Sequence, residues 1–192
     1  MHGATVRLFI AINLPPEVRR SIVDATAPMR QAAPRVSWVT EERLHLTMEF
    51  LGDQPEEAVA PLGAALAREA ARHAPITLAL SGLGAFPNLR SPRIVWLGVA
   101  ADPRLELLQH DLARMCTELG YERDARAFRP HITIGRARTP LRAEAARALA
   151  TAARAVTWSA TVEARSVDIM ESRLLPSGAR YGVVAAIPLG RG

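Results

Sequence analysis

The sequence predicts an α/β (α+β) fold of two lobes related by a pseudo-two-fold axis. Three observations carry that expectation. A four-residue H-x-T-x unit occurs twice in apolar, β-prone surroundings, as His45-Leu46-Thr47-Met48 and His131-Ile132-Thr133-Ile134. The elements around each unit repeat in order: strand, helix, H-x-T-x strand, helix, strand. Arginines recur with the units. Arg43 and Arg129 stand two places before the histidines, and Arg7 precedes His45 by the same interval as Arg93 precedes His131. Two copies read as an internal duplication rather than a solenoid, with repeats at roughly 7–85 and 93–170 inside a single domain, 1–192.

Leu8 to Leu14, apolar except for Asn13, predicts a buried strand. Pro15-Pro16-Glu17 then opens a helix with Val18, Ile22, Ala25 and Met29 on one face, and Pro28 ends or kinks it. Val36 to Val39 is a short extended piece. His45 to Leu51 is a strand stopped by Gly52-Asp53, and Asp53 is the expected cap of a second helix with an apolar stripe of Val59, Leu62 and Leu66. Ile76 to Leu80 is a strand, Gly82 to Pro92 a Gly/Pro-rich loop linking the two lobes, and Ile94 to Val99 another buried strand. Asp102-Pro103 starts a third helix that Gly120 stops. After the second H-x-T-x strand, Thr139-Pro140 starts an Ala-rich helix. Val156 to Met170 and Tyr181 to Ile187 are strands joined by a loop at Pro176-Ser177-Gly178.

A length of 192 residues suits one large domain, and the composition, 49% hydrophobic and 22% charged, is that of a globular protein. The formal charge is +5, and all 24 basic residues are arginine. The planar guanidinium suits phosphate, although an Ala- and Arg-rich genome would give the same bias. The single cysteine, Cys116, excludes an internal disulfide, and its helical neighbours Leu105, Leu108 and Leu112 place it in the core. Leu8 to Ile12 is too short for a membrane span and lacks the flanks of a leader, so a soluble cytoplasmic protein with no membrane partner is expected.

A strand sends alternate side chains to one face, so His and Thr of each unit point the same way, about 7 Å apart along the strand. Leu46, Met48, Ile132 and Ile134 then point into a core. Two such strands facing one cleft bring two imidazoles and two hydroxyls to one small polar group. An unperturbed imidazole titrates near 6.5, so one ring can serve as acid and the other as base, each role being worth about 10²–10⁴ in rate. The threonine hydroxyls can donate to phosphoryl oxygens. Arg129 shares the parity of His131 and is the candidate cation for charge that builds there. No H-x-H or H-E-x-x-H grouping marks a metal site.

Five stretches carry a family resemblance: RLFIAINLPPEV at 7–18, LHLTMEFLG at 44–52, FPNLRSPRIVWLGV at 86–99, FRPHITIGRAR at 128–138 and MESRLLPSGARY at 170–181. In that order, over nearly the whole chain, they resemble the RNA 2′,3′-cyclic phosphodiesterases, or 2′-5′ RNA ligases, of the two-histidine phosphoesterase superfamily. The resemblance implies a bilobal fold of antiparallel sheets flanking a central cleft, with helices outside. It implies that His45 is the proton donor, His131 the proton acceptor, and that Thr47 and Thr133 hold phosphate oxygens. The implied reaction opens a terminal 2′,3′-cyclic phosphate to a 2′-phosphomonoester, with 2′-5′ joining of RNA ends as the reverse. It implies no metal and no cofactor. The implied partner is RNA with cyclic-phosphate ends, tRNA fragments among them, acted on by a monomer.

Other residues divide between packing and contact with substrate. Arg43 and Arg129 are candidate RNA contacts by charge. Tyr181 suits either packing or a nucleotide. Phe50 suits a base, but its parity is opposite to that of His45 and favours the core, whereas Glu49 shares the His45 face by parity. His73, near a helix end, and His110, within a helix, read as solvated or capping. Two rival readings remain at this level: a non-catalytic binder of RNA ends, and a cyclic phosphodiesterase for a small nucleotide.

Overall fold

The computed structural model describes residues 5–122, 127–175 and 178–190. The strands are β1 (Thr5–Asn13), β2 (Ser37–Trp38), β3 (His45–Pro55), β4 (Ile76–Phe86), β5 (Ile94–Val99), β6 (His131–Arg136), β7 (Ser159–Ala164), β8 (Ser166–Leu175) and β9 (Gly178–Pro188). The helices are α1 (Pro16–Ala25), α2 (Ala27–Ala32), α3 (Val59–Ala70), α4 (Pro103–Glu118) and α5 (Ala143–Ala155). Every strand pair is antiparallel, and the order runs β7-β4-β5-β6-β3-β1-β8-β9, with β2 added beside β6. The expected flanking sheets are thus one continuous sheet. Its halves, β7-β4-β5-β6 and β3-β1-β8-β9, meet at the single register pair Leu46↔Ile132.

The two H-x-T-x strands are therefore neighbours at the centre of the sheet, each with the remaining strands of its own half on its outer side. Leu46 and Ile132 are both fully buried. They belong to one core that lies under the helices and includes Leu8, Ile10, Ile12, Leu62 and Leu108. The opposite face carries a second, small cluster of Phe9, Ala11 and Met170, with Tyr181 packed on it.

Both strands break their alternation at the same place. From His45 to Leu51 and from His131 to Ala137 the side chains run half-buried, buried, half-buried, buried, buried, exposed, buried. Two consecutive residues, Met48 and Glu49 or Ile134 and Gly135, face the core. The ladders slip at these points, between Ile10 and Ala11 opposite β3 and between Val95 and Trp96 opposite β6. A β-bulge adds one residue to one strand and reverses the parity of everything after it. This corrects the expected faces. Glu49 is buried, where it accepts a hydrogen bond from Gln109 at 3.2 Å, and Phe50 is 53% exposed on the cleft side.

Other expectations also need correction. Asp53 caps no helix; it lies in β3 and binds Arg7 in a two-pronged ion pair of 2.9 and 3.0 Å, while α3 starts only at Val59. Gly82 to Phe86 continue β4, so the loop between β4 and β5 is 87–93 and joins two adjacent strands. Thr26 separates α1 from α2, with Pro28 in the first turn of α2 rather than inside a helix. The Ala-rich helix begins at Ala143, not at Pro140. Val156 to Met170 is not one strand: β7 and β8 are separated at Arg165. Pro176 and Ser177 of the expected hairpin loop lie outside the described residues, and Gly178 already belongs to β9. The matched interval of Arg7 and Arg93 is not a structural equivalence: Phe9 faces Phe50 and Ile94 faces Arg136, which puts Leu8 rather than Arg7 in the place of Arg93. No described helix is long and apolar enough to cross a membrane.

Candidate active site

The strand faces bring the four motif side chains together. Continuing the Leu46↔Ile132 register by one residue sets His45 across from Thr133 and Thr47 across from His131. All four are half-buried, on the face opposite the main core.

The two imidazoles are held in the same way. His45 Nδ1 lies 2.8 Å from the Arg43 carbonyl oxygen, and His131 Nδ1 lies 2.6 Å from the Arg129 carbonyl oxygen. A carbonyl only accepts, so each Nδ1 carries the proton and donates it. Each Nε2 is then the working atom: a lone pair when the ring is neutral, a proton donor when it is charged. Thr47 Oγ1 stands 3.1 Å from His45 Nε2, and its hydroxyl donates to the neutral ring. The arginines two places before each histidine thus contribute through their backbone, whatever their side chains do.

The surroundings of the two rings differ. His45 packs beside Phe9, with ring centroids 5.0 Å apart, and meets the edge of Tyr181 at 5.4 Å. Arg43 lies over the Tyr181 ring, its guanidinium carbon 4.8 Å from the centroid. Burial pushes the His45 pKa down to about 4; the charges of Arg136 and Arg43 push the same way, against the hydrogen bond to the Arg43 carbonyl. His131 meets the edge of Phe86 at 5.1 Å, and Phe86 in turn packs on Trp96 at 5.4 Å.

The shared bulge supplies two further cleft residues, Phe50 and Arg136, at equivalent places in the two strands. Arg136 was absent from the sequence-derived set. The signal that would have found it is Gly135, because a glycine inside a strand marks a bulge or a close approach. A Cβ there would stand 2.7 Å from Val36 Cγ1. Phe50 reaches Phe9 at a centroid distance of 6.1 Å, so Phe9, Phe50 and Tyr181 form an aromatic wall on the His45 side. Arg129 is exposed, and Arg43 is half-buried, with its Nε enclosed and lacking a hydrogen-bond partner.

A cavity of about 370 Å³ lined by Thr5, Arg7, Asp53 and Arg173 lies at the opposite end of β1 and β3 from the histidines. His110 is exposed as expected, but His73 is buried between Glu69 and Asp111.

The model of the 2′-5′ RNA ligase superfamily matches residues 14–172. The RNA 2′,3′-cyclic phosphodiesterase of Geobacillus stearothermophilus is 37% identical over 184 residues, which are 94% of this chain. The chain spans only 56% of that relative's length. The enzyme of the same name from Thermus thermophilus is 37% identical over 142 residues, 70% of each chain. Among solved structures, TT0787 of Thermus thermophilus superposes with a TM-score of 0.80 at 29% identity, covering 96% of this chain and 98% of its own. Escherichia coli LigT, solved with 3′-AMP, gives a TM-score of 0.76 at 28% identity, covering 97% and 99%.

Proposed function

Because the chain belongs to the 2′-5′ RNA ligase superfamily, we propose that it is an RNA 2′,3′-cyclic phosphodiesterase, opening a terminal cyclic phosphate to a 2′-phosphomonoester. The observation that carries the reading is the pair of H-x-T-x strands at the centre of the sheet, each with its Nδ1 tied to a backbone carbonyl. Two tied imidazoles leave two Nε2 atoms free to exchange protons across one phosphorus. In this reading His131 Nε2 takes a proton from the attacking water as its oxygen bonds to phosphorus. The bond from phosphorus to O3′ breaks, and O3′ receives the proton of His45 Nε2. Thr47 and Thr133 donate to the non-bridging oxygens, and Arg136 balances charge that builds on them. Replacing the water by a 5′-hydroxyl gives the 2′-5′ linkage.

The depressed pKa of His45 bears on its role as donor. In the free protein the ring is neutral at pH 7. A bound phosphate brings negative charge beside Arg43, Arg136 and His45, offsets the two guanidinium groups and favours the imidazolium. In this reading the substrate shifts the donor toward its charged form, against the burial that favours the neutral ring.

The terminal base is read weakly, through Phe50 and Tyr181, while Arg43 and Arg129 hold phosphates farther along the strand. The working unit is a monomer of one bilobal domain with duplicated halves at about 7–85 and 93–170, acting in the cytoplasm on RNA ends such as those of tRNA fragments. It uses neither metal nor cofactor for this reaction. Incubation with an oligoribonucleotide ending in a 2′,3′-cyclic phosphate tests the reading. The expected product is the 2′-phosphate, formed equally well with chelator present. A 3′-phosphate product, or binding without turnover, would overturn it.

A further inference from the structure

We propose that Glu69, His73 and Asp111 form a zinc-binding site that staples α3 to α4 in the helical layer behind the sheet. Glu69 lies in the last turn of α3, His73 lies four residues on, in the turn just beyond the helix, and Asp111 faces them from α4. Their side chains are only 10%, 9% and 18% exposed. His73 Nε2 is enclosed and has no hydrogen-bond partner of acceptable geometry. It nevertheless points between two oxygens, 3.2 Å from Asp111 Oδ2 and 3.7 Å from Glu69 Oε1. A buried nitrogen left unsatisfied is costly, and a cation placed among these three atoms satisfies all of them.

The distances suit a small metal ion. One ligand atom from each residue lies within 4.8 Å of the others. Tetrahedral zinc with bonds of about 2.0–2.1 Å to nitrogen and oxygen sets neighbouring ligands roughly 3.3 Å apart. The ligand set, one imidazole and two carboxylates, is of the kind zinc accepts, and the fourth position is left for water.

The outer oxygens are already occupied in a way that orients the inner ones. Arg114 Nη2 lies 3.3 Å from Glu69 Oε2 and 3.8 Å from Asp111 Oδ1. Each carboxylate therefore turns one oxygen to Arg114 and the other to His73, as outer-shell partners of metal ligands do. Arg72 competes for the site, with Nη1 3.1 Å from Glu69 Oε1, but its side chain is 65% exposed and swings into solvent at little cost.

The test is zinc titration of the metal-free full chain, followed by calorimetry and thermal unfolding. One zinc per chain is expected, with Tm rising by about 5–10 °C at a hundredfold excess over Kd. His73→Gln and Asp111→Asn should each weaken binding at least tenfold and at least halve the Tm response at the same zinc concentration, measured within each variant so that its own stability cancels. A double variant, His45→Ala with His131→Ala, should bind as the parent does. Zinc binding that survives Asp111→Asn, that is lost with the cleft histidines, or that leaves Tm unmoved would overturn the proposal; the last result would leave a protonated His73 as the bridge between the carboxylates.

Discussion

The strands His45–Leu51 and His131–Ala137 have the same burial sequence, the same bulge and the same backbone tie on the histidine, yet they present different chemistry. The first is walled by Phe9, Phe50 and Tyr181, and its imidazole is held neutral. The second offers Arg136 where the first has Phe50, and Gly135 where the first has Glu49. One backbone frame thus makes a stacking surface in one half and a charged one in the other. What differs is the set of side chains packed around each strand, so identical motifs need not have identical surroundings.

The largest expected effect treats the two halves as a pair. His45→Ala and His131→Ala should each lower turnover of a cyclic-phosphate RNA by about 10²–10⁴ with the fold intact by circular dichroism. The double variant should lose little more than the worse single one, because acid and base act as a unit. Additive losses would mean that the halves work independently.

The second prediction uses the difference in burial. His45 takes up a proton near pH 6.5 when unfolded but only near 4 when folded. The unfolded state therefore binds more protons in between, and stability falls as the pH drops through that window, by roughly 3 kcal/mol from this group. Denaturant titration at pH 7 and pH 4.5 measures the loss. In His45→Gln the fall should be smaller, and an equal fall in both would remove His45 as its source.

A third comparison exchanges the equivalent positions. Arg136→Gln should lower kcat/KM by about 10- to 100-fold, since it removes a charge-assisted contact to the phosphate. Phe50→Ala should mainly raise KM, by about tenfold, because stacking holds substrate and transition state alike. Steady-state kinetics on RNAs differing in the terminal base separate the two. Strong base discrimination that disappears in Phe50→Ala would show that stacking also selects the base rather than only holding it.

The smallest effect concerns what lies behind the bulges. Gly135→Ala drives a Cβ toward Val36 and Trp38 and should cost about 1–3 kcal/mol by thermal unfolding. Glu49 occupies the equivalent place in β3 with a whole carboxylate accommodated against Gln109. A neutral Gly135→Ala would show that the loop carrying β2 yields freely.

Much of this asymmetry was legible only in part. The duplicated H-x-T-x pattern located both histidines and both threonines on one face, because alternation holds over the three residues from His to Thr. It failed two residues later, where the bulge reversed the parity of Glu49 and Phe50, and Arg136 was missed for the same reason. Asp53 is a good helix cap by residue type, but Arg7 on the neighbouring strand claims its carboxylate. That pairing is long-range and has no local signal. His73 looked solvated because Asp111, its partner, comes from a different helix.

The neutral state of the His45 imidazole is tested most directly by nuclear magnetic resonance titration of His45, with His45→Gln used to assign its signals. The ring should titrate near pH 4 in the free protein, and its pKa should rise in Arg136→Gln and on addition of inorganic phosphate. A His45 that titrates near 6.5 in the parent protein and is unmoved by either change would contradict the view that its surroundings keep the donor neutral until a phosphate arrives.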